Sequence, residues 1–421
     1  MTHIKPFKAV HYNPAKIDDF SKVVCPPYDV ISKDQQNRLH NLSPFNFINL
    51  ELAKETSRDD DIYNKYTRAQ KTYEDWLKDG VLIEDQKPSI YFYKQEYKIL
   101  GEKHSRSGFI ALMKLQEDGD SRIFPHENTH TAAKEDRLKL WSMLKSNLSS
   151  IFVCFSDSKK KVDHIFAKYV SPTKPLIDLM DEEKVRHILW RLEDPDQIRE
   201  IQEALEDQPL FIADGHHRYE VAQEYKRQRS RGKPKGGPEA SYDYVMTYFT
   251  NMDSKDLQIF PIHRIIKKLP KALDFLEEFF RVDKIKKKED LAVLLAKSGK
   301  TECSIGVYSR DGMHLLRLKN KMLINQYIHE GSEDYRQLDA TVLKYFILDR
   351  LGVSSDEITY SKDVNEAMNM VDNNQAQISF ILNPVKVQQI KAIALNGERM
   401  PPKTTYFYPK VLSGLTVYQV D

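Results

Sequence analysis

The sequence predicts a mixed α/β fold with a strongly β first half. Apolar runs rich in aromatic and β-branched residues recur at SIYFYKQEYKI (89–99), RSGFIALMKL (106–115), SIFVCFS (150–156), PLFIAD (209–214) and DYVMTYFTNM (243–252). Stretches of helical period lie between them, at 60–79, 134–146 and 219–229. The 421 residues, 40% of them hydrophobic, supply more than one core.

Each element follows from local chemistry. Residues 1–58 carry Pro6, Pro14, Pro26, Pro27 and Pro44 and are expected to be irregular, because proline removes a backbone donor and blocks long helices. In 60–79, Ile62, Tyr66, Ala69, Tyr73, Trp76 and Leu77 fall on one stripe, and Gly80 suits the position after a helix. The runs 89–99 and 106–115 form a hairpin around Gly101. A helix at 134–146 and a buried strand at 150–156 come next, then a charged helical region at 181–206, a buried strand at 209–214 and a helix at 219–229. RGKPKGGPEA (231–240) is the best internal candidate for a mobile loop.

Composition resets near residue 265. Helices are expected at 270–280, 286–297, 338–350 and 362–371 and from Pro384, with strands at 302–309, 312–319 and 378–382. This gives two domains, 1–264 and 265–421, with the last tail free to return to the site.

Composition also excludes function classes. Lys and Arg total 64 against 62 Asp and Glu, a net +2, so no basic stripe speaks for nucleic acid. Cys25, Cys154 and Cys303 are odd in number and form no C-x-x-C pair, which argues against a disulfide framework and a cysteine zinc site. The opening MTHIKPFKAVHYNPAK lacks a signal-peptide apolar run, and nowhere do about 18 apolar residues run together. A soluble cytoplasmic protein without membrane partners is the expectation.

FIADGHHRYE (211–220) is the sharpest chemical signal. An apolar strand ends in Asp-Gly, and two His and an Arg open a helix. Gly215 allows a tight turn. Backbone N–H groups at a helix start, with Arg218, make an anion site, and Arg grips phosphate through two parallel hydrogen bonds. Asp214 repels phosphate by charge. Its open roles are to hold a metal ion, to accept a proton, or to orient His216 or His217. The plain alternative is a turn with Asp214 as helix cap.

FPHENTH (124–130) contains H-E-x-x-H, the zinc metalloprotease pattern. Pro125 and the weak helix formers Asn128 and Thr129 do not set both His on one face of an established helix, and no third ligand follows nearby. Glu127 as a general base beside His126 and His130 suits the stretch better. VVCPPYDVIS (23–32) places Tyr28, Asp29 and Ser32 on a rigid extended turn, and nothing there activates Cys25 as a nucleophile. In ERMPPKTTYFYPKVLSGL (398–415), Lys403, Thr404 and Thr405 are either phosphate contacts or part of a packed tail. The chain has no G-x-x-x-x-G-K-[ST], no G-x-G-x-x-G and no G-x-S-x-G, which leaves out P-loop, Rossmann and hydrolase-elbow sites.

Taken in order, KPFKAVHY, CPPYDVIS, FPHENT with Arg137 downstream, ADGHHRYE, PIHR (261–264) and MPPKTTYFYPK with SGL resemble domain-of-unknown-function family 1015, a ParB-like prokaryotic family, across essentially the whole chain. More distantly, DGHHR looks like the phosphate-binding turn of the ParB/sulfiredoxin superfold, which includes free serine kinases. That resemblance implies a ParB/sulfiredoxin-like core with an insertion near 155–205. It implies catalytic roles for Glu127, Asp214 and His217, and nucleotide contacts from Gly215, His216 and Arg218; Arg264, Arg137 and Lys403 are candidates for further phosphate or carboxylate contacts.

The implied activity is a nucleotide-dependent phosphotransferase that uses ATP or ADP with Mg2+ on a small hydroxylated metabolite, free L-serine being the first guess. No protein-held metal is implied, and a homo-oligomer is compatible. Two other readings stand beside it: a non-catalytic nucleotide-binding regulator, and a metal-dependent hydrolase built on His126, Glu127, His130, His216 and His217.

Overall fold

A computed structural model of the chain describes residues 3–117, 122–127, 131–206, 208–232 and 238–420. His130 and residues 233–237 of the polar loop lie outside these. The fold is mixed α/β and is built around a large mixed sheet.

The chain divides into two compact units. The first comprises Met1–Pro125, Thr129–Leu257 and Pro409–Asp421, and the second His126–Asn128 and Gln258–Tyr408. The compositional reset near 265 lies past the crossing at Leu257/Gln258. The wholly buried strand HRII (263–266) already belongs to the second core, and the last segment returns to the first unit.

Among the described residues, nine strands form the main sheet of the first unit. They are β1 (Ile4–Lys5), β2 (Ile90–Ile99), β3 (Glu102–Lys114), β4 (Ile123–Phe124), β5 (Ile151–Phe155), β6 (Ile177–Met180), β7 (Arg186–Leu192), β8 (Leu210–Asp214) and β9 (Tyr244–Asn251). Their order is β4-β8-β5-β9-β3-β2-β7-β6, with β1 also pairing β3. The β4/β8 and β5/β9 pairs are parallel and the others antiparallel.

Among the described residues, the helices that cover the sheet or its neighbours include α1 (Lys33–Leu42), α2 (Lys65–Lys78), α3 (Thr131–Leu144), α4 (Pro195–Leu205) and α5 (His216–Arg229). Ile198, Ile201 and Leu205 of α4 and Val221, Ala222 and Tyr225 of α5 share one core with Phe109, Val153, Ile212 and Phe249 of the sheet. Burying such side chains contributes about 1.5–3 kcal/mol each. Trp141 of α3 stacks on Tyr225 with centroids 5.7 Å apart, which fixes α3 against α5.

The hairpin at Gly101 and the strands at 150–156, 209–214 and 243–252 form as expected. Several expectations fail for identifiable reasons. The ten-residue α1 fits between Pro27 and Pro44, capped by Ser32, whose Oγ accepts from Gln35 N–H at 3.2 Å. Helix 60–79 starts only at Lys65, because Asp60 binds the N–H groups of Ile62 and Tyr63 in a turn and Asn64 caps. Ile62, counted into the stripe, is 71% exposed.

The charged region 181–206 is only half helical. Arg186–Leu192 is strand β7, paired with β2 over its whole length. Its charges satisfy cross-strand partners: Arg186 binds Asp178 of β6 at 2.7 Å and Glu96 of β2 at 3.2 Å. The segment 155–205 therefore adds two strands to the sheet as well as a helix.

The second unit holds an antiparallel sheet of β10 (His263–Ile266), β11 (Phe280–Ile285), β12 (Ser304–Ser309), β13 (Gly312–Leu318), β14 (Ile358–Ser361) and β15 (Ile378–Ile381), in the order β11-β13-β12-β15-β10-β14. Helix α6 (Lys288–Ser298) and helical segments at 339–351, Val364–Asp372 and Val387–Leu395 accompany it. The helix expected at 270–280 is a single turn, Leu276–Phe279, since Phe280 opens β11 against β13. No helix of the described residues is long and apolar enough to cross a membrane.

Candidate functional site

The Asp-Gly turn is built by two local devices. The register of β8 against β5 shifts between Ile212 and Asp214, a bulge that sets Asp214 opposite Phe152. Gly215 then takes φ +86°, and α5 begins at His216. A Cβ at 215 would lie 3.0 Å from the Arg218 guanidinium, so glycine is needed for close approach as well as for φ.

The carboxylate of Asp214 bridges two cations. Its Oδ2 accepts from Arg218 Nη2 at 3.0 Å and its Oδ1 from Lys410 Nζ at 2.7 Å. Arg218 also donates to the carbonyl of Ser150. Burial alone would raise the Asp214 pKa. The charges of Lys410 and Arg218 outweigh it and hold the carboxyl well below the usual range. His216, buried at the helix start, acts in the same direction, and His217 beside it is half-buried.

A second layer surrounds the turn within the first unit. Arg137 donates to the carbonyl of Glu51 at 2.7 Å and lies over the Tyr28 ring at 4.4 Å. Ser149 Oγ donates to Glu51 Oε1 at 3.1 Å. Glu51 is 2% exposed, and among the described residues its Oε2 has no hydrogen-bond partner. Burial raises the Glu51 pKa against the pull of Arg137 and Arg218. Burial also raises the Tyr28 hydroxyl, with Asp29 adding to it.

The C-terminal segment delivers Lys410. Cys25 and Ser413 exchange backbone hydrogen bonds at 3.2 and 2.9 Å, which straps the segment to the CPPYD turn. Gln95 binds the Lys410 carbonyl at 2.8 Å, and the buried Arg106 donates to that of Pro409. Cys25 is thus a buried structural thiol whose pKa burial pushes up.

Glu127, Arg264 and Lys403 belong to the second unit, where His126–Glu127 and the PIHR and MPPKTT stretches converge. Glu127 Oε1 accepts from Thr405 Oγ1 at 3.3 Å, and the backbone of Glu127 bridges to Met400. Met400 N–H donates to the carbonyl of His126 at 2.7 Å. Arg264 is buried, donates to the carbonyls of Ile262 and Pro402, and lies 5.5 Å from the Tyr360 ring centroid. Burial draws its pKa down to about 10, opposed by Tyr360 and Glu127. Lys403 is exposed on the turn at φ +56°, and neighbouring Thr404 Oγ1 donates to the carbonyl of Pro401.

The predicted site residues thus sort into two groups. Asp214, Gly215, His216, His217 and Arg218 form one in the first unit, and Glu127, Arg264 and Lys403 lie in the second. Sequence reasoning missed Lys410, Glu51 and the Ser149–Ser150 pair. Lys410 lies in the 398–415 stretch, where Lys403, beside Thr404 and Thr405, gives the stronger local signal. Glu51 gives no local signal, because a lone carboxylate in an apolar turn looks like any surface Glu. Among the described residues no three His, Cys, Asp or Glu side chains are grouped to hold a metal ion, so the hydrolase reading has no donor set there. Both Asp214 oxygens are committed to cations, so the turn suits an anion and not a protein-held magnesium ion.

The chain belongs to the family described as "Protein of unknown function (DUF1015)", whose model matches residues 4–341. No curated protein matches it. Among solved structures it is similar to a free serine kinase in complex with AMP, at TM-score 0.37 and 13% identity, over 71% of this chain and 88% of that one. A conserved hypothetical protein from Pyrococcus furiosus gives TM-score 0.35 and 14% identity, over 69% and 89%. SbnI with a C-terminal truncation, from Staphylococcus aureus, gives 0.36 and 12%, over 72% and 85%. At these scores the likenesses carry no argument about activity.

Proposed function

For this member of the family, we propose a nucleotide-dependent phosphotransferase that acts on a small hydroxylated metabolite, with free L-serine as the first substrate to test. The observation that carries the reading is the pair of cations, Arg218 and Lys410, meeting at the glycine turn that opens the 14-residue helix α5. Phosphoryl transfer asks a protein mainly for positioning and charge stabilisation. Two fixed cations and the N–H groups of a helix start supply both to a phosphate group.

Each residue has a defined task in this reading. Asp214 holds the two cations in place. Arg218, Lys410 and the N–H groups of the turn bind phosphate oxygens of ATP or ADP. Glu127 takes the proton from the attacking hydroxyl, and His217 is the second candidate for proton transfer. Arg264 and Lys403 serve as further contacts to phosphate or substrate carboxylate. Mg2+ enters with the nucleotide as the counter-ion of its phosphates, and no side chain is assigned to it.

A turnover assay paired with a nucleotide-binding measurement tests the reading. Glu127→Gln is expected to lower turnover by about 10²–10⁴-fold while nucleotide affinity stays the same. Unchanged turnover removes the general-base role. One observation favours a second reading, a nucleotide-binding regulator without turnover: both Asp214 oxygens are already engaged, so Asp214 itself is not free to act as a base. Tight nucleotide binding with no product from any hydroxylated metabolite would select it.

A further inference from the structure

The second unit contains a cavity of about 180 Å³ that the proposed reaction does not use. It opens where α6 ends, where β12 begins and where the helical segment 339–351 starts. Its floor is rigid. Asn383 Nδ2 donates to Asp339 Oδ2 at 2.9 Å and to Ser304 Oγ and the Ser304 carbonyl at 3.3 Å. Gly299 is part of the wall, and a Cβ there would stand 2.5 Å from the Asn383 side chain. That clash is severe, so glycine at this position lets Asn383 lie flat against the helix end.

The charge balance of the lining is positive. Lys300, Lys321 and Lys386 all border the cavity, and among the described residues no carboxylate pairs with any of them. Lys288 and Lys344 of the same unit, by comparison, are paired with Asp372 at 2.7 Å and Asp349 at 3.1 Å. Glu302, also in the lining, is bound by Arg281 at 3.1 Å. Asp339 is committed to Asn383 and is pushed by burial toward its neutral form.

We propose that this cavity is a small-anion site that takes one phosphate group, as inorganic phosphate or a small phosphomonoester. Three exposed lysines bordering a polar floor, none paired with a carboxylate among the described residues, favour such a ligand electrostatically. The volume is below the roughly 300–1,000 Å³ of pockets that hold drug-sized ligands, so a whole nucleotide does not fit. The site is separate from the Asp214 turn and does not depend on the phosphotransferase reading.

Lysine NMR of the full chain tests it. The lysines are converted to ¹³C-dimethyl-lysine and assigned through Lys→Arg variants. They are then titrated with inorganic phosphate and, separately, glycerol 3-phosphate at constant ionic strength, with chloride as control. The expected result is that the Lys300, Lys321 and Lys386 signals move together and saturate at one affinity. Lys321→Gln with Lys386→Gln should weaken that affinity, read at Lys300, by about tenfold or more. Saturation by phosphate alone assigns a free-phosphate site, and saturation by both probes a phosphomonoester site. The Lys410 signal reports the first unit separately, so failure at one place is not mistaken for failure at the other. The proposal is overturned if the three signals drift linearly like other exposed lysines, or if the double variant leaves the affinity at Lys300 unchanged.

Discussion

Lys410 donates to Asp214 Oδ1 at 2.7 Å across 196 residues of sequence, and Arg218 takes the other oxygen of the same carboxylate at 3.0 Å. The C-terminal segment is therefore part of the turn that opens α5.

Asp214→Asn should destabilise the protein by about 3–5 kcal/mol at neutral pH, because it leaves Arg218 and Lys410 without their shared counter-charge. The folded-state pKa of Asp214 lies below its unfolded value of about 3.9. Its stabilisation is therefore fully present above about pH 5 and is lost as the pH falls through the folded pKa. Urea denaturation of both proteins at pH 7 and at about pH 2 checks this. A gap between them that does not narrow in acid contradicts the ion-pair account.

Gly215→Ala should cost about 1–2 kcal/mol from the positive φ alone. It should also press on the Arg218 guanidinium and weaken nucleotide binding. A variant as stable and as tightly binding as the parent would show that the turn relaxes without consequence.

Lys410→Met keeps much of the side-chain volume and removes the charge. If Lys410 contacts phosphate, nucleotide affinity should fall about 10–100-fold, the worth of one charged hydrogen bond. Calorimetric titration measures it, with the Tm of the variant as the control for folding. Full affinity in a folded variant would restrict Lys410 to a structural role.

Glu51 titrates in the opposite sense from Asp214. Its pKa is raised by burial, so the stability it allows is present below its unfolded pKa and is lost as the pH rises through the folded one. Glu51→Gln should match the parent near pH 4 and exceed it in Tm at pH 8. A variant that is less stable at pH 8 would mean that ionised Glu51 is needed beside Arg137 and Arg218.

The parts of the molecule legible in sequence are those whose cause is local. The apolar run before Asp214 and the glycine after it announce a strand, a turn and a helix start, and these form. Strand β7 was read as helix because Arg186 and its neighbours look like a solvated helix face, when their partners Asp178 and Glu96 sit on adjacent strands. Helix α1 was hidden by counting prolines without measuring the gap between Pro27 and Pro44. Lys410 and Glu51 owe their roles to residues far away in the chain, Asp214 in one case and Ser149 and Arg137 in the other. No spacing rule exposes such pairs.

The central claim is phosphoryl transfer at the Asp214 turn. The most direct measurement is ³¹P NMR of the purified protein with Mg2+, ATP or ADP, and an amino-acid mixture containing serine. The account predicts a new phosphomonoester signal that grows with time and is absent with Asp214→Ala. Nucleotide that stays unchanged throughout, with ATP and with ADP, contradicts it.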